Sequence, residues 1–485
     1  MNDFVASLLL LGALGGNGSS LPFWAESNCW GLMPQGDGGL ALVQAYSQPS
    51  AFGNGFHMQW GTSLGATLGS GTSTVLIDEL YANVGWKKLS LDLGMRHHER
   101  DFLASGTSLG RDNTLGSLSS TGGHLIWSGN ARTMPGYSLN LEPVAVPFTG
   151  RHVWIHGSFG DFRTYGDRYI DAALVHSTKA FFTFNLTRRL DFEMGLDHYA
   201  VWGGKGDHVK APASFANYYR VIIGKNAGPD GSGCDRANVI GDQGGAELLK
   251  MSYRGNGFRL VFQHEIPYND GSGMMFKNFP DGVNTLCFSL EDRDRWVSDI
   301  LYEYSYTMWQ SGSMNTESYN PDIYGPVPDD ADTQGGDDYF NNIEVLDGWT
   351  HCGRTIGYPL FFAKSADSNG LVLGVSNNRL KAHHFALAGK LFRKAPYKLM
   401  LTWSMNYGTY PAPYAGEQQW QHPWKSVKET GLPQFSAGFT GEIPLLKSGS
   451  RGSLAMTYGI YLDSGKVLAN QSGATLGLRW LLSRR

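Results

Sequence analysis

A strict alternation of apolar and polar residues, held over segments of about ten residues, is the feature that most limits how this chain can fold. In Leu89–Met95 the apolar set is Leu89, Leu91, Leu93 and Met95, with Ser90, Asp92 and Gly94 between them. Leu190–Leu196 sets Leu190, Phe192, Met194 and Leu196 against Asp191, Glu193 and Gly195. Tyr397–Tyr407, Leu454–Leu462 and Ala474–Leu482 follow the same rule. Successive side chains of a strand point to opposite faces, so each segment reads as a β-strand with one apolar and one polar face. Sandwich strands alternate too, but they average nearer five or six residues. Segments of about 9–11 residues match tilted strands that cross a bilayer. Trp296, Tyr302, Tyr304, Tyr306, Tyr397 and Tyr407 near segment ends fit the aromatic girdles of membrane barrels. A one-residue slip in Leu190–Leu196 would turn Asp191 and Glu193 into lipid, so the opposite face must line a polar lumen.

Composition agrees with this reading. Charged residues are 17% of the chain, against roughly 25% in soluble domains, while aromatics reach 13% and glycines number 64. No apolar run approaches about 18 residues, which excludes a bundle of membrane helices. A net charge of −4 offers no basic footprint for nucleic acid. No repeat of about 20–50 residues marks a propeller or solenoid. Short joints fall at Pro49–Asn54, Trp86–Lys88, Phe148–Arg151, Thr187–Arg188, Gly255–Asn256, Glu291–Arg295, Arg393–Pro396 and Lys447–Gly452. Between them lie mostly longer connections, among them Gly15–Gly38, His98–Pro135, Gly203–Gly244, Gly312–Asn377 and Pro411–Leu432. The expected fold is all-β: one transmembrane antiparallel β-barrel of about eighteen strands over residues 1–485, in the outer membrane of a Gram-negative bacterium. Both termini are expected in the periplasm and the long loops outside, partly filling the lumen, with loop 312–377 as the candidate plug. One short helix is expected in Gly203–Gly244, with Pro212 in its first turn. Phe215, Tyr219, Ile222 and Ile223 would form one face that packs the loop over the barrel mouth.

The apolar stretch Phe4–Leu14 looks like the core of a signal peptide, but no Lys or Arg precedes Lys87, so the positively charged start is missing. It reads as the first strand of a mature exported chain. Cys29, Cys234, Cys287 and Cys352 show no CxxC or Cys/His metal spacing. Isolated thiols are expected, with a Cys234–Cys352 bridge as the alternative. His97–His98 and His383–His384 cannot chelate side by side, because adjacent strand residues face opposite ways. Asp329, Asp330, Asp332, Asp337 and Asp338 lack the twelfth-position Glu of a calcium loop and read as a solvated acidic loop. No GxSxG elbow is present. No cofactor, metal or catalytic residue is expected.

Four stretches are more distinctive: Leu21–Gly31 (LPFWAESNCWG), Trp127–Arg132 (WSGNAR), Tyr302–Gly312 (YEYSYTMWQSG) and Gly348–Phe361 (GWTHCGRTIGYPLF). With Asp270–Met274, Asn377–Gly389 and Asn406–Thr409 they resemble, nearly end to end, the Wzi-type capsule-assembly proteins of the Bacteroidales kind. The chain departs from enterobacterial relatives in lacking a separate N-terminal helical region. The resemblance implies an eighteen-stranded outer-membrane barrel that assists surface attachment of capsular polysaccharide as a lectin-like protein, not an enzyme. Trp309, Tyr339, Trp349, His351 and Arg354 are the candidate glycan-binding residues, since rings offer apolar faces with polar tips and sugars use both. The same rings could equally pack the loop, and Arg354 could fix a plug by pairing with Asp191, Glu193 or Glu303. Expected partners are capsular or extracellular polysaccharide, outer-membrane lipid, lipopolysaccharide and envelope assembly proteins. The alternatives are a passive porin or solute channel, a membrane-embedded enzyme acting on lipid or glycan, and a structural partner in an envelope complex.

Overall fold

The computed structural model describes residues 4–16, 20–69, 73–97, 114–229, 231–269, 278–311, 337–415, 430–449 and 452–484. Eighteen antiparallel strands form its wall. They are β1 Phe4–Gly15, β2 Gly38–Ser47, β3 Phe56–Gly69, β4 Ser73–Trp86, β5 Leu89–Met95, β6 Gly136–Ala145, β7 Val153–Arg163, β8 Leu174–Asn185 and β9 Leu190–Trp202. The second half comprises β10 Asp242–Arg254, β11 Phe258–Asn269, β12 Gly282–Leu290, β13 Asp299–Tyr306, β14 Arg379–Leu391, β15 Ala395–Gly408, β16 Leu432–Gly449, β17 Gly452–Gly465 and β18 Gln471–Arg484. Each strand pairs with its neighbours in sequence. The last pairs with the first, from Phe4 opposite Arg484 to Gly15 opposite Gly473, so the sheet closes. Phe4–Gly15 is thus the first wall strand, as expected of this apolar stretch from its lack of a positively charged start.

At one end the strands are joined by eight short connections, at 48–55, 87–88, 146–152, 186–189, 255–257, 291–298, 392–394 and 450–451, the last outside the described residues. At the other end nine connections run over 16–37, 70–72, 96–135, 164–173, 203–241, 270–281, 307–378, 409–431 and 466–470. In the 392–394 turn Phe392 and Arg393 both take left-handed φ values, 52° and 60°, matching the right-handed twist of the flanking strands.

Side chains divide as the alternation requires. Met194, Leu196, Leu478 and Trp480 point away from the barrel and are 40–46% exposed. On the inner face Glu193 meets His156 at 3.1 Å and Lys250 at 3.3 Å, and Asp191 meets Arg254 at 2.6 Å. Asp92 accepts hydrogen bonds from Asn83 (2.7 Å) and Asn140 (2.9 Å). One irregularity has a clear consequence: the register of β3 and β4 shifts between Ser63 and Leu64. The bulge leaves Asp78 as the extra residue, so Asp78 and Glu79 both face inward.

The inner half nearest the long loops is filled. Three loops share that space, around Leu21–Met33, Leu118–Met134 and Tyr339–Phe361, where sequence reasoning singled out only 312–377. The helix in the 203–241 connection differs more. It is α1, Phe215–Ile222, with Ser214 as N-cap accepting from the Asn217 N–H at 3.2 Å, so Pro212 precedes it instead of lying in its first turn. It does not cover the mouth. Val221 is buried with Ala200, Trp202, Ala211, Ala227 and Ile240, and Ala200 and Trp202 occupy outward-facing positions of β9. The helix therefore lies against the outer surface of the wall. Phe215 (86%), Tyr219 (59%) and Ile223 (42%), expected to pack inward, point away from the protein, because the opposite stripe with Tyr218 and Val221 makes the contact.

The face assignment predicts that Met194→Arg, which places a cation on the lipid side, destabilises the barrel by about 2–4 kcal/mol at mid-membrane depth. Urea titration of protein folded into vesicles is the measurement, with Lys250→Arg on the inner face leaving the midpoint nearly unchanged.

Candidate functional site

The site is the lumen: what fills its long-loop half, what lines its short-turn half, and how the two are joined. The filling is a packed plug. Trp349 is 0% exposed, its ring stacked 3.8 Å from Tyr199 of the wall and edge-on to Trp127 at 5.6 Å. Its indole N–H donates to the Ile126 carbonyl at 2.5 Å. Ile356, Tyr358, Leu360 and Phe361 follow it into the same core, each 0–2% exposed. Wall carboxylates receive the plug's backbone. Glu265 accepts the Leu125 N–H at 3.2 Å, Asp463 accepts the Phe23 N–H at 2.8 Å, and Glu303 accepts both the backbone and hydroxyl donors of Ser120. Trp24 donates to Thr402 at 3.1 Å, and His384 contacts the Leu118 carbonyl at 2.7 Å. The alternating polar positions of the strands thus serve as sockets for loop backbone that hydrocarbon could not accept.

The five candidate glycan residues are all placed, and they do not form an open surface. Trp349, Tyr339 and His351 are 0–1% exposed, so their ring faces are taken by protein. Tyr339 donates to Asp281 at 2.8 Å, and Asp281 also accepts the Trp309 N–H at 2.8 Å. His351 stands edge-on to Tyr165 at 4.6 Å. Arg354 does fix the plug, though its partner is Glu26 of a second lumenal loop, at 2.7 Å, and not Asp191, Glu193 or Glu303 of the wall. Asp337, expected in a solvated acidic loop, is buried, and Asp338, expected there too, is half-buried. Asp337 accepts from Asn278 at 3.0 Å and Asp338 from Asn341 at 3.1 Å. Asp329, Asp330 and Asp332 lie outside the described residues. Cys29 and Cys352 are free thiols, and the Cys234 side chain of the alternative bridge lies outside the described residues.

Among the described residues one group has the composition of a cation site: Asp78, Glu79 and His97, brought together by the bulge. His97 Nε2 lies 2.8 Å from Asp78, and its backbone N–H donates to Glu79 at 2.8 Å. Tyr46 donates to Glu79 at 2.7 Å and Ser63 to Asp78 at 2.8 Å, while Trp30 stacks on the imidazole at 3.9 Å. These contacts satisfy the group without a metal. His383 and His384 do point to opposite faces: His383 contacts outward Tyr302 at 2.8 Å and His384 the inner Thr402 at 2.7 Å.

Below the plug, between it and the wall of β13–β18 and β1, lies a cavity of about 520 Å³. Trp24, Cys29, Trp30 and the 116–122 segment form its plug side. Its charged lining consists of four cations, Arg293, Lys390, Lys398 and Arg479, against two carboxylates, Asp299 and Glu442. Arg293 is paired with Asp299 and Arg479 with Glu442, while Lys398 donates to the Ser117 carbonyl at 3.0 Å and Lys390 to Asp294 at 2.7 Å. The opposite wall carries the half-buried Asp191, Glu193, His156 and Lys250, so charge lines both sides of this half. Sequence reasoning missed the cavity residues, although Lys398 and Arg479 interrupt the apolar runs at polar-face positions and were legible as lumenal.

No family model matches the chain, and no curated protein matches it. Solved structures similar to it include OccK3 (OpdO) of Pseudomonas aeruginosa, at 9% identity over 100% of this chain and 96% of that one, with a TM-score of 0.49. The outer membrane protein OprD of the same organism is 11% identical, covering 100% and 94%, with a TM-score of 0.45. OccAB2 of Acinetobacter baumannii is 9% identical, covering 100% and 98%, with a TM-score of 0.47. The likeness concerns the fold. The expected membership of the Wzi-type family is corrected by these results, and with it the expected lectin-like binding of capsule: no family or curated match supports it, and the similar solved barrels are OprD and Occ proteins. Most of the Gly348–Phe361 stretch that suggested that family is plug core: its rings are buried and a Cβ at Gly348 or Gly357 would meet backbone, whereas Cys352 and Gly353 are exposed.

Two predictions follow from the plug's chemistry. Arg354→Ala removes a charged hydrogen-bond pair to Glu26 and weakens the plug by about 1.5–3 kcal/mol, read as faster hydrogen exchange in residues 21–33 while the wall amides stay protected. His351 is held neutral by burial, its pKa pushed down to about 3 from 6.5. The folded value is the lower one, so its contribution is complete above pH 6.5. It is lost as pH falls toward 3, by about 1.4 kcal/mol per unit. Asp281, raised by burial to about 6, acts oppositely, gaining stability on acidification from 6 toward 4. The His351 part is isolated as the difference in plug exchange between the wild type and His351→Gln at pH 7 and pH 5.

Proposed function

We propose that this protein is a passive outer-membrane channel of narrow bore, which favours small negatively charged or polar solutes. The orientation proposed places the short turns and both termini in the periplasm and the nine loops outside. The observation that carries the reading is the cavity of about 520 Å³ with four cations and two carboxylates, set inside a closed wall whose facing strands are also charged. A lumen meant only to be sealed needs no such lining, since an apolar core would pack it more cheaply than ion pairs do. The net positive lining raises the local concentration of anions and rejects cations of the same size.

The loops define the bore. Eighteen strands alone would enclose a wide aqueous channel. The plug reduces it to what passes between plug and wall, so selectivity belongs to side chains at that boundary. Lys398 is the most telling of them, because it joins the wall to the 117 carbonyl of the plug and lines the cavity at the same time.

Planar-bilayer recording tests the proposal. The expected result is small single-channel steps with a reversal potential displaced toward anion permeability under a salt gradient. Lys398→Gln together with Lys390→Gln should reduce that displacement by about half or more while leaving the channel count unchanged. A protein that inserts, shows the heat-modifiable migration of a folded barrel and yet never conducts would contradict a channel function.

A further inference from the structure

The outward face of the wall carries a second constellation that solute passage does not use. In β7 and β8 the outward positions are Asp161, His176 and Thr178, as the pairing with outward Tyr137 and His198 requires. The Asp161 carboxylate meets His176 Nδ1 at 2.9 Å, and His176 Nε2 meets the Thr178 hydroxyl at 2.8 Å. Acid on Nδ1 and hydroxyl on Nε2 is the arrangement in which an imidazole, held in one tautomer by a carboxylate, withdraws a proton from a nucleophile. His176 is fully buried beneath α1, where Tyr218 donates to Asp161 at 2.5 Å, while Thr178 is half-exposed at the rim of the covered patch. The next outward residues of β8 toward the short turns are Ala180 and the exposed Phe182, and the exposed Phe215, Tyr219 and Ile223 of α1 lie on the same outer side of the wall. The hydroxyl therefore sits where the apolar band of the wall ends and its polar rim begins, the depth at which acyl chains join their headgroups.

We propose that Thr178, His176 and Asp161 form an esterase site that opens toward the lipid and acts on an acyl ester of the surrounding membrane. Thr178 Oγ1 attacks the ester carbonyl and His176 Nε2 takes the hydroxyl proton. The carbonyl carbon then releases the alkoxide, which leaves with the proton from His176, and the acyl group stays on Thr178. Water attacks this second ester, gives its proton to His176 and displaces Thr178 Oγ1, which recovers it. The products are a free fatty acid and a deacylated lipid. Thr178 and His176 are the catalytic residues, and Asp161 is a positioning residue. Docking of α1 alone would account for Asp161 with Tyr218 and Tyr137. It does not account for a polar triad on a face where ionisable groups are costly and usually functional.

The test uses the full-length folded protein in vesicles of phosphatidylethanolamine and, separately, of lipopolysaccharide, with released fatty acid measured by mass spectrometry. Release at least tenfold above protein-free vesicles is expected in one or both, and the responding vesicle identifies the source of the ester. Thr178→Val and His176→Gln should return release to the blank. Thr178→Ser should retain it, and Asp161→Asn should lower turnover about 100-fold or more at unchanged half-saturation. Stalled wild-type protein should carry an acyl mass on the peptide containing Thr178 that hydroxylamine removes, a readout that needs no variant to fold. No release from either lipid, or release that persists in folded Thr178→Val, would overturn the proposal.

Discussion

Hydrocarbon offers no partner for a backbone N–H or C=O, and the rest of this structure depends on that fact. Strands that cross it must pair on both edges, which forces the last strand back onto the first. Phe4–Gly15 does this against Gln471–Arg484 without a register shift. Closure fixes everything beneath it. The wall presents one apolar and one polar face, the polar face must enclose a lumen, and an eighteen-strand lumen is wide enough to need filling or to be left wet. This protein does both, with plug in one half and charged space in the other.

The plug explains why so many ionisable groups lie inside. Loop backbone cannot be buried unless its donors and acceptors are met, and the inward positions of the strands supply partners: Glu303 for Ser120, Glu265 for Leu125, Asp463 for Phe23. The β4 bulge extends this by turning both Asp78 and Glu79 inward to hold His97 at the foot of the next loop. Aromatic packing around Trp349 then closes the centre of the plug, so the proposed channel is left the plug–wall boundary, where Lys398 and Arg479 lie.

Much of the wall was legible in sequence because period-two patterning is a local signal. Leu190–Leu196 declares its lipid face and its lumenal face with no knowledge of its neighbours, and the alternation of short and long connections counts the strands. The contents of the lumen were legible only in part. That a loop containing Gly348–Phe361 fills it could be read from the length of 312–377. That Arg354 pairs with Glu26, 328 residues away, could not, because such a contact exists only after the barrel has closed. The same limit applies to α1, whose Phe215, Tyr219 and Ile223 form an apolar stripe that suggests a core contact. Only the three-dimensional fold shows that this stripe faces outward. Asp161, His176 and Thr178 likewise come from two strands and acquire meaning only through register.

The central claim is that a route for charged solutes runs between plug and wall. Its most direct measurement is the entry rate of a small organic anion and a cation of equal size into vesicles that contain the folded protein. The account predicts that both enter faster than into protein-free vesicles, with the anion several-fold ahead of the cation. Entry of neither solute above the protein-free rate would contradict it.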